Sequence, residues 1–227
     1  MDIEKAFDSV AHDYIHLILD KVGMPEWFQN LVKGLLADVQ VSPVLAERFD
    51  GKIRITRGVK QGGPLSPILF ILCYDPLLHR LSKQSGIRPF GFADDLAAAC
   101  DRPGDLLKVL NIFRDFTSLS GLKINEKKTV IVAERDRWAN TRHFLDFFAS
   151  GWKNVALADN GVYLGIRFGR VTTEMIFEKA MKKFRKRFSD YRPLFKSLPI
   201  HKRTLLANVF LLTLFSYVGQ HASSSLL

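Results

Sequence analysis

The chain has 227 residues, 47% hydrophobic and 25% charged, with a formal net charge of +10 and a pI near 9.7. That length carries one large domain or two small ones, and that composition is ordinary for a globular protein. No basic segment leads into an apolar stretch at the N-terminus, Leu205 to Val218 is too short and too polar to span a bilayer, and Cys73 and Cys100 form no CxxC pair. The expectation is therefore an intracellular, unsecreted protein without membrane association, with both thiols free and buried.

In chain order, Asp2 to Asp8 opens the sequence with no element before it. A helix follows with Ile15, Ile18, Leu19 and Val22 on one face and Gly23 as its stop. His12 and His16 have helical metal-pair spacing but no further ligand near them, which predicts an exposed face. Pro25 starts a second helix whose stripe is Phe28, Leu31, Val32 and Leu35. Asp50-Gly51, with Ile53 and Ile55 alternating after it, predicts a hairpin. Residues 66–82 read as a buried helix capped by Ser66, with Pro67 in its first turn.

Ile87 to Cys100 is apolar on both sides of Asp94-Asp95, which predicts two strands around a tight turn. A helix over 105–119 carries Leu106, Val109, Leu110, Phe113 and Phe116 and ends at Gly121. Thr129 to Ala133 reads as a strand, and residues 134–150 give no clear pattern. Asn160-Gly161 marks another hairpin, with Val162, Leu164, Ile166 and Phe168 alternating on its second arm. From there the pattern is helical. Arg170 to Arg203 holds eleven Lys/Arg against three Asp/Glu, a surplus that attracts nucleic acid or simply solvates a helix face.

Three pieces carry chemistry. Asp94 and Asp95 are adjacent acids in an apolar context, where carboxylates are costly unless paired or metal-bound, although Asp also suits an exposed turn. Asp2 and Asp8 flank a strand-like piece, and a carboxylate from it would complete an oxygen-rich site for Mg²⁺ or Mn²⁺. The run Arg57 to Pro67 contains Gln61-Gly62-Gly63, where paired glycines let backbone approach a ligand or merely form a tight turn.

The order DIEKAFD, GVKQGGPLSPILF, FADD, GLKINEKKT and YLGI resembles motifs A to E of reverse transcriptases, nearest to the non-LTR retrotransposon type, with group II intron and retron enzymes as relatives. The resemblance runs from Asp2 into the basic helical region. It implies an α+β fold: a palm over 1–169, an antiparallel sheet backed by helices, then a partial helical thumb over 170–227. It implies that Asp2, Asp94 and Asp95 hold two Mg²⁺ or Mn²⁺ ions, and that Phe7 is the gate beneath the sugar. Gln61, Gly62 and Gly63 would contact the incoming deoxynucleoside triphosphate. Lys128 is the implied acid near the pyrophosphate, with Lys123 and Lys127 as competitors. Tyr163, Leu164 and Gly165 match the primer grip. Phe177, Met181, Phe184, Phe188 and Tyr191 would bury one stripe of a thumb helix, leaving Lys179, Lys182, Lys183, Lys186 and Arg187 to track phosphates.

The implied partners are an RNA template and a DNA primer. Phe92 stands where many relatives have tyrosine. The family's fingers precede motif A, so upstream sequence of a longer protein is expected to supply them. The alternative is an inactive retroelement remnant that at most binds nucleic acid. A third reading, an RNA-dependent RNA polymerase, shares the palm, but Phe7 and QGGPLSP lean toward deoxynucleotides.

Overall fold

Helix and strand periodicities alternate through most of this chain, and the computed structural model shows the corresponding mix of helices and small antiparallel sheets, an α+β fold. The structure describes residues 1–37, 40–41, 53–148, 152 and 155–222. The chain divides into two compact units, residues 1–130 with 136–156 and residues 131–135 with 157–227.

The first unit begins with β1 (Ile3–Glu4), the short α1 (Ala6–Ser9), α2 (His12–Lys21) and α3 (Glu26–Leu36). Strands β2 (Gln40–Val41) and β3 (Ile53–Arg54) pair antiparallel, while the expected Asp50-Gly51 turn lies outside the described residues. Next come α4 (Ser66–Ser82), β4 (Ile87–Phe92), β5 (Asp95–Cys100), α5 (Asp105–Ser120), β6 (Lys123–Ile124) and α6 (Trp138–Phe148). Helix α5 ends as its sequence predicts, at Gly121 with φ 78°. At its start, the hydrogen bond from Lys108 holds the Asp105 carboxyl below the usual carboxylate range.

Ile15, Leu19, Phe70, Leu77, Leu81, Leu96 and Leu122 form the centre of the core, contributed by α2, α4, β5 and the segment after α5. Cys73 is buried in it and Cys100 is half-buried. Burial pushes these thiols up to about 12 and about 11, which leaves both protonated at neutral pH.

Several expectations change here. Ser66 is the first helical residue rather than the cap, and its hydroxyl donates to Lys60 O at 2.6 Å. On α3 only Val32 is buried, while Leu31 and Leu35 are about half exposed, as is Val22 after α2. One neighbouring helix, α2, covers only part of the α3 arc, so Leu31 and Leu35, about sixty to a hundred degrees round from Val32, stay largely in solvent. The histidines are not on an open face. His12 Nε2 lies 2.8 Å from Gly58 O and His16 is half-buried, its pKa lowered by burial and by Lys33.

The second unit holds β7 (Val130–Val132) and β8 (Ala156–Ala158), all but their first residues, paired with each other. A hairpin of β9 (Asn160–Tyr163) and β10 (Ile166–Gly169) follows, then α7 (Thr173–Ser197), α8 (Ile200–Ala207), a π-helical turn over Asn208–Leu212 and α9 (Thr213–Ala222). Asn160-Gly161 is not the hairpin turn. Both residues lie in β9, opposite Gly169 and Phe168, and the chain reverses at Leu164-Gly165. The Asp159 and Arg167 side chains tie Asn160 into the strand, at 2.8 and 3.2 Å.

The apolar run from Leu205, whose pattern reads as a buried helix, is helical but not buried: Leu205, Val209 and Leu212 are more than half exposed and only Leu211 is buried. Nor does α7 bury an aromatic stripe. Phe184 stacks on Phe188, Phe177 and Phe184 meet Phe215, and Tyr191 meets Phe210, with Phe188 still 46% exposed. Among the described residues no helix is long and apolar enough to cross a membrane.

Candidate active site

The sequence places Asp2 just before β1 and Asp94-Asp95 at the start of β5, and the fold sets those segments edge to edge. Asp2 and Asp95 form an antiparallel bridge, and Leu96 N donates to Met1 O at 3.0 Å. Strand β6 pairs with the other side of β1, Ile3 opposite Ile124. The β4–β5 turn consists of Ala93 and Asp94, because Phe92 pairs directly with Asp95. Asp94 therefore projects from the turn while Asp95 belongs to the strand.

Beside these strands lies a cleft of about 410 Å³, lined by Asp2, Phe7, Gln61, Asp94, Asn125 and Lys128 together with residues 3–6. Phe7 stacks on Phe70 with ring centroids 4.8 Å apart, so a core aromatic supports the ring that reaches the cleft. Gln61 arrives through a close approach of two backbones. Gly58 N donates to Val10 O and Val59 N to Phe7 O, both at 2.7 Å, and a Cβ on Gly58 would stand 2.8 Å from Asp8 backbone. Only glycine, with φ 88°, permits that contact. The Gln61 amide then donates to Asp8 Oδ1 at 3.2 Å.

Lys128 is positioned by a turn hung from β1. Asn125 N donates to Asp2 O at 2.8 Å, and Lys128 N donates to both the backbone and side-chain oxygens of Asn125. Lys128 Nζ comes to rest 3.2 Å from Asp2 Oδ2. With the lysine side chain 67% exposed, the pair stabilises by less than about 1 kcal/mol, so its meaning is positional. Lys123 faces a second cleft of about 240 Å³ with Lys5 and Arg57, and Lys127 lines neither.

Of the residues singled out in the sequence, Asp2, Phe7, Gln61, Asp94 and Lys128 share the first cleft, while Asp95, Gly62 and Gly63 do not line it. Tyr163, Leu164 and Gly165 lie at the tip of the β9–β10 hairpin in the second unit. Lys179, Lys182, Lys183, Lys186 and Arg187 are exposed on α7, with Arg187 donating to Phe210 O at 3.0 Å. Sequence reasoning passed over Asn125, which builds the Lys128 turn. Its signal was the Asn-Glu-Lys-Lys tetrapeptide, since asparagine accepts from backbone two or three residues on.

Three non-glycine residues among those described take positive φ: Lys5 at 47°, Ala93 at 51° and Leu164 at 50°. Each costs on the order of 1 kcal/mol or more, and such strain concentrates at functional sites. Lys5 lines the cleft, Ala93 precedes Asp94, and Leu164 forms the hairpin tip.

No group of three or more His, Cys, Asp or Glu close enough to hold a metal occurs among the described residues. The cleft lining does include carboxylates, Asp2, Glu4 and Asp94, of which Asp2 and Asp94 are the motif acids. That pair fits Mg²⁺ or Mn²⁺, since Mg²⁺ binds through one or two carboxylates plus substrate phosphates rather than in an all-protein cage.

A family model described as reverse transcriptase (RNA-dependent DNA polymerase) matches residues 1–168. The chain is 38% identical over 150 residues to a Pol polyprotein from the type-1 retrotransposable element R2 of Popillia japonica, covering 59% of this chain and 20% of the relative. It is 34% identical over 190 residues to the Pol polyprotein of the type-2 element R2DM of Drosophila melanogaster, covering 75% of this chain and 18% of that one. A 149 kDa protein of transposon TX1 from Xenopus laevis is 27% identical over 139 residues, 57% of this chain and 11% of that protein. The chain thus spans about a fifth or less of these relatives.

Proposed function

The chain belongs to the reverse transcriptase family, as a domain of the non-LTR retrotransposon type, and from that premise we propose that it copies an RNA template onto a DNA primer by nucleotidyl transfer at the first cleft. Residues 1–169 act as the palm and 170–227 as a helical thumb segment. The observation that carries this reading is the shared cleft: Asp2 and Phe7 from the first motif, Gln61 from the second, Asp94 from the third and Lys128 from the fourth line one space.

The primer's 3′-hydroxyl attacks the α-phosphorus of the deoxynucleoside triphosphate, and the bond to pyrophosphate breaks. Asp2, Asp94 and Asp95 would hold two Mg²⁺ or Mn²⁺ ions, which when bound would supply Lewis-acid stabilisation of the attacking and leaving oxygens. Phe7, backed by Phe70, fills the space a 2′-hydroxyl would need. Gln61 contacts the sugar, with Gly62 and Gly63 against the new base pair. Lys128 holds a proton at Nζ for the departing pyrophosphate, and its pairing with Asp2 keeps that ammonium at the cleft before substrate arrives. Tyr163, Leu164 and Gly165 support the primer end, and the exposed cations of α7 track its phosphates.

Primer extension on RNA in Mg²⁺ tests the assignment. Asp94→Asn should lower the rate by about a thousandfold or more, while duplex affinity stays within about twofold. Asp95→Asn should do the same, because Asp95 is the third carboxylate of the proposed metal set. Normal extension by Asp94→Asn would sink the metal assignment. If the chain joined to upstream fingers binds duplex but extends nothing, the inactive-remnant reading takes its place.

A further inference from the structure

The turn at the tip of the β9–β10 hairpin is built against its own backbone preference. Leu164 and Gly165 both take positive φ, 50° and 81°, the arrangement that Asn-Gly adopts readily and leucine does not. An isolated two-stranded hairpin is marginal in water even with a favourable turn. Something must hold Leu164 there, and the structure contains a hydrogen bond that does so. The Tyr217 hydroxyl, from α9, donates to Leu164 O at 2.8 Å across 53 positions of sequence. Its ring edge comes close to Gly165, where an added Cβ would stand 3.9 Å from Tyr217 Cε1.

The rest of the hairpin is tied to the same helices. Arg167 in β10 reaches Glu178 on α7 at 3.5 Å. Helix α9 is anchored to α7 through Phe215, whose ring centroid lies 6.3 Å from Phe177 and 5.5 Å from Phe184. The tip and the second strand of the hairpin therefore both connect to the helical layer that carries the exposed cations.

We propose that Tyr217 is a positioning residue, whose hydroxyl clamps the strained Leu164-Gly165 turn and so sets the primer terminus from the C-terminal helix. The proposal rests on the reading of this hairpin as the support for the primer end. The clamp acts on one carbonyl oxygen, so removing the hydroxyl alone should release the turn and leave the ring packing intact.

Two measurements on the full chain separate the clamp from the reading beneath it. In Tyr217→Phe, amide exchange across Tyr163–Ile166 should accelerate about fivefold, the factor one net hydrogen bond contributes. Extension kcat should fall about tenfold, with nucleotide KM and duplex Kd within about twofold, because misplacement rather than lost binding is at fault. Leu164→Gly removes the strain the clamp opposes, so adding it to Tyr217→Phe should restore kcat to within about twofold of the Leu164→Gly single variant. Unchanged exchange in Tyr217→Phe overturns the clamp, whatever extension does. Faster exchange with unchanged kcat leaves the clamp standing but overturns its link to the primer, and the primer-support reading with it.

Discussion

In the first unit, Phe70, Leu81, Leu96 and Leu122 are almost wholly buried, and the cleft residues stand on that packed layer. In the second, Ala180, Leu211 and Ala222 are the buried hydrophobics among the described residues. What holds the second unit is discrete: rings meeting along α7, the Arg167–Glu178 pair, Arg135 on Asp159 at 2.9 Å and the Tyr217 hydroxyl. A close-packed interior fixes side chains by excluding every other rotamer. A layer with few buried atoms depends on individual contacts, each of modest worth. The cleft of the first unit is therefore rigid by volume and the hairpin tip of the second by a handful of bonds.

The largest test of that contrast is Phe70→Ala, which should destabilise the first unit by about 3–5 kcal/mol. Denaturant unfolding would read it, and a loss under about 1 kcal/mol would show that the core is not what supports Phe7. Next is Lys128→Met, which should lower extension kcat about a hundredfold at little cost to nucleotide KM. A rise in KM alone would make Lys128 a binding group rather than a proton donor. A smaller effect is expected from Lys183→Ala on α7: the slope of log affinity against log salt for duplex binding should fall by about one. An unchanged slope would return this helix face to a solvated role. Leu205→Ser, at a side chain 64% exposed, should change stability by less than about 0.5 kcal/mol. A loss above about 2 kcal/mol would mean that the second unit has a core after all.

Much of the fold was legible where local chemistry decides it. Helices α4 and α5 fall within a residue of their expected limits, because Pro67 opens one and Gly121 closes the other. The two strands around Asp94 follow from a short apolar stretch interrupted by polar turn residues. Legibility failed where a local turn preference competed with strand pairing. Asn160-Gly161 is the better turn dipeptide, yet Leu164-Gly165 turns, because pairing from Asn160↔Gly169 to Tyr163↔Ile166 and the bonds to Asp159 and Arg167 outweigh the turn preference. The stripe on α3 and the apolar run after Leu205 failed for another reason. Periodicity says which face is apolar but not whether a neighbour covers it.

By itself, then, the sequence determined the order of the motifs, the family they belong to, the chemical types on offer and most element limits, since these depend on residues within a turn or two of one another. Tertiary structure alone decided that Asp94 and not Asp95 faces the cleft, that Asn125 aims Lys128 at Asp2, and that Tyr217 reaches Leu164. Each of those facts is a distance between segments far apart in the chain. Strand register, the close approach at Gly58 and the packing of Phe7 on Phe70 set such distances, and no local propensity encodes them.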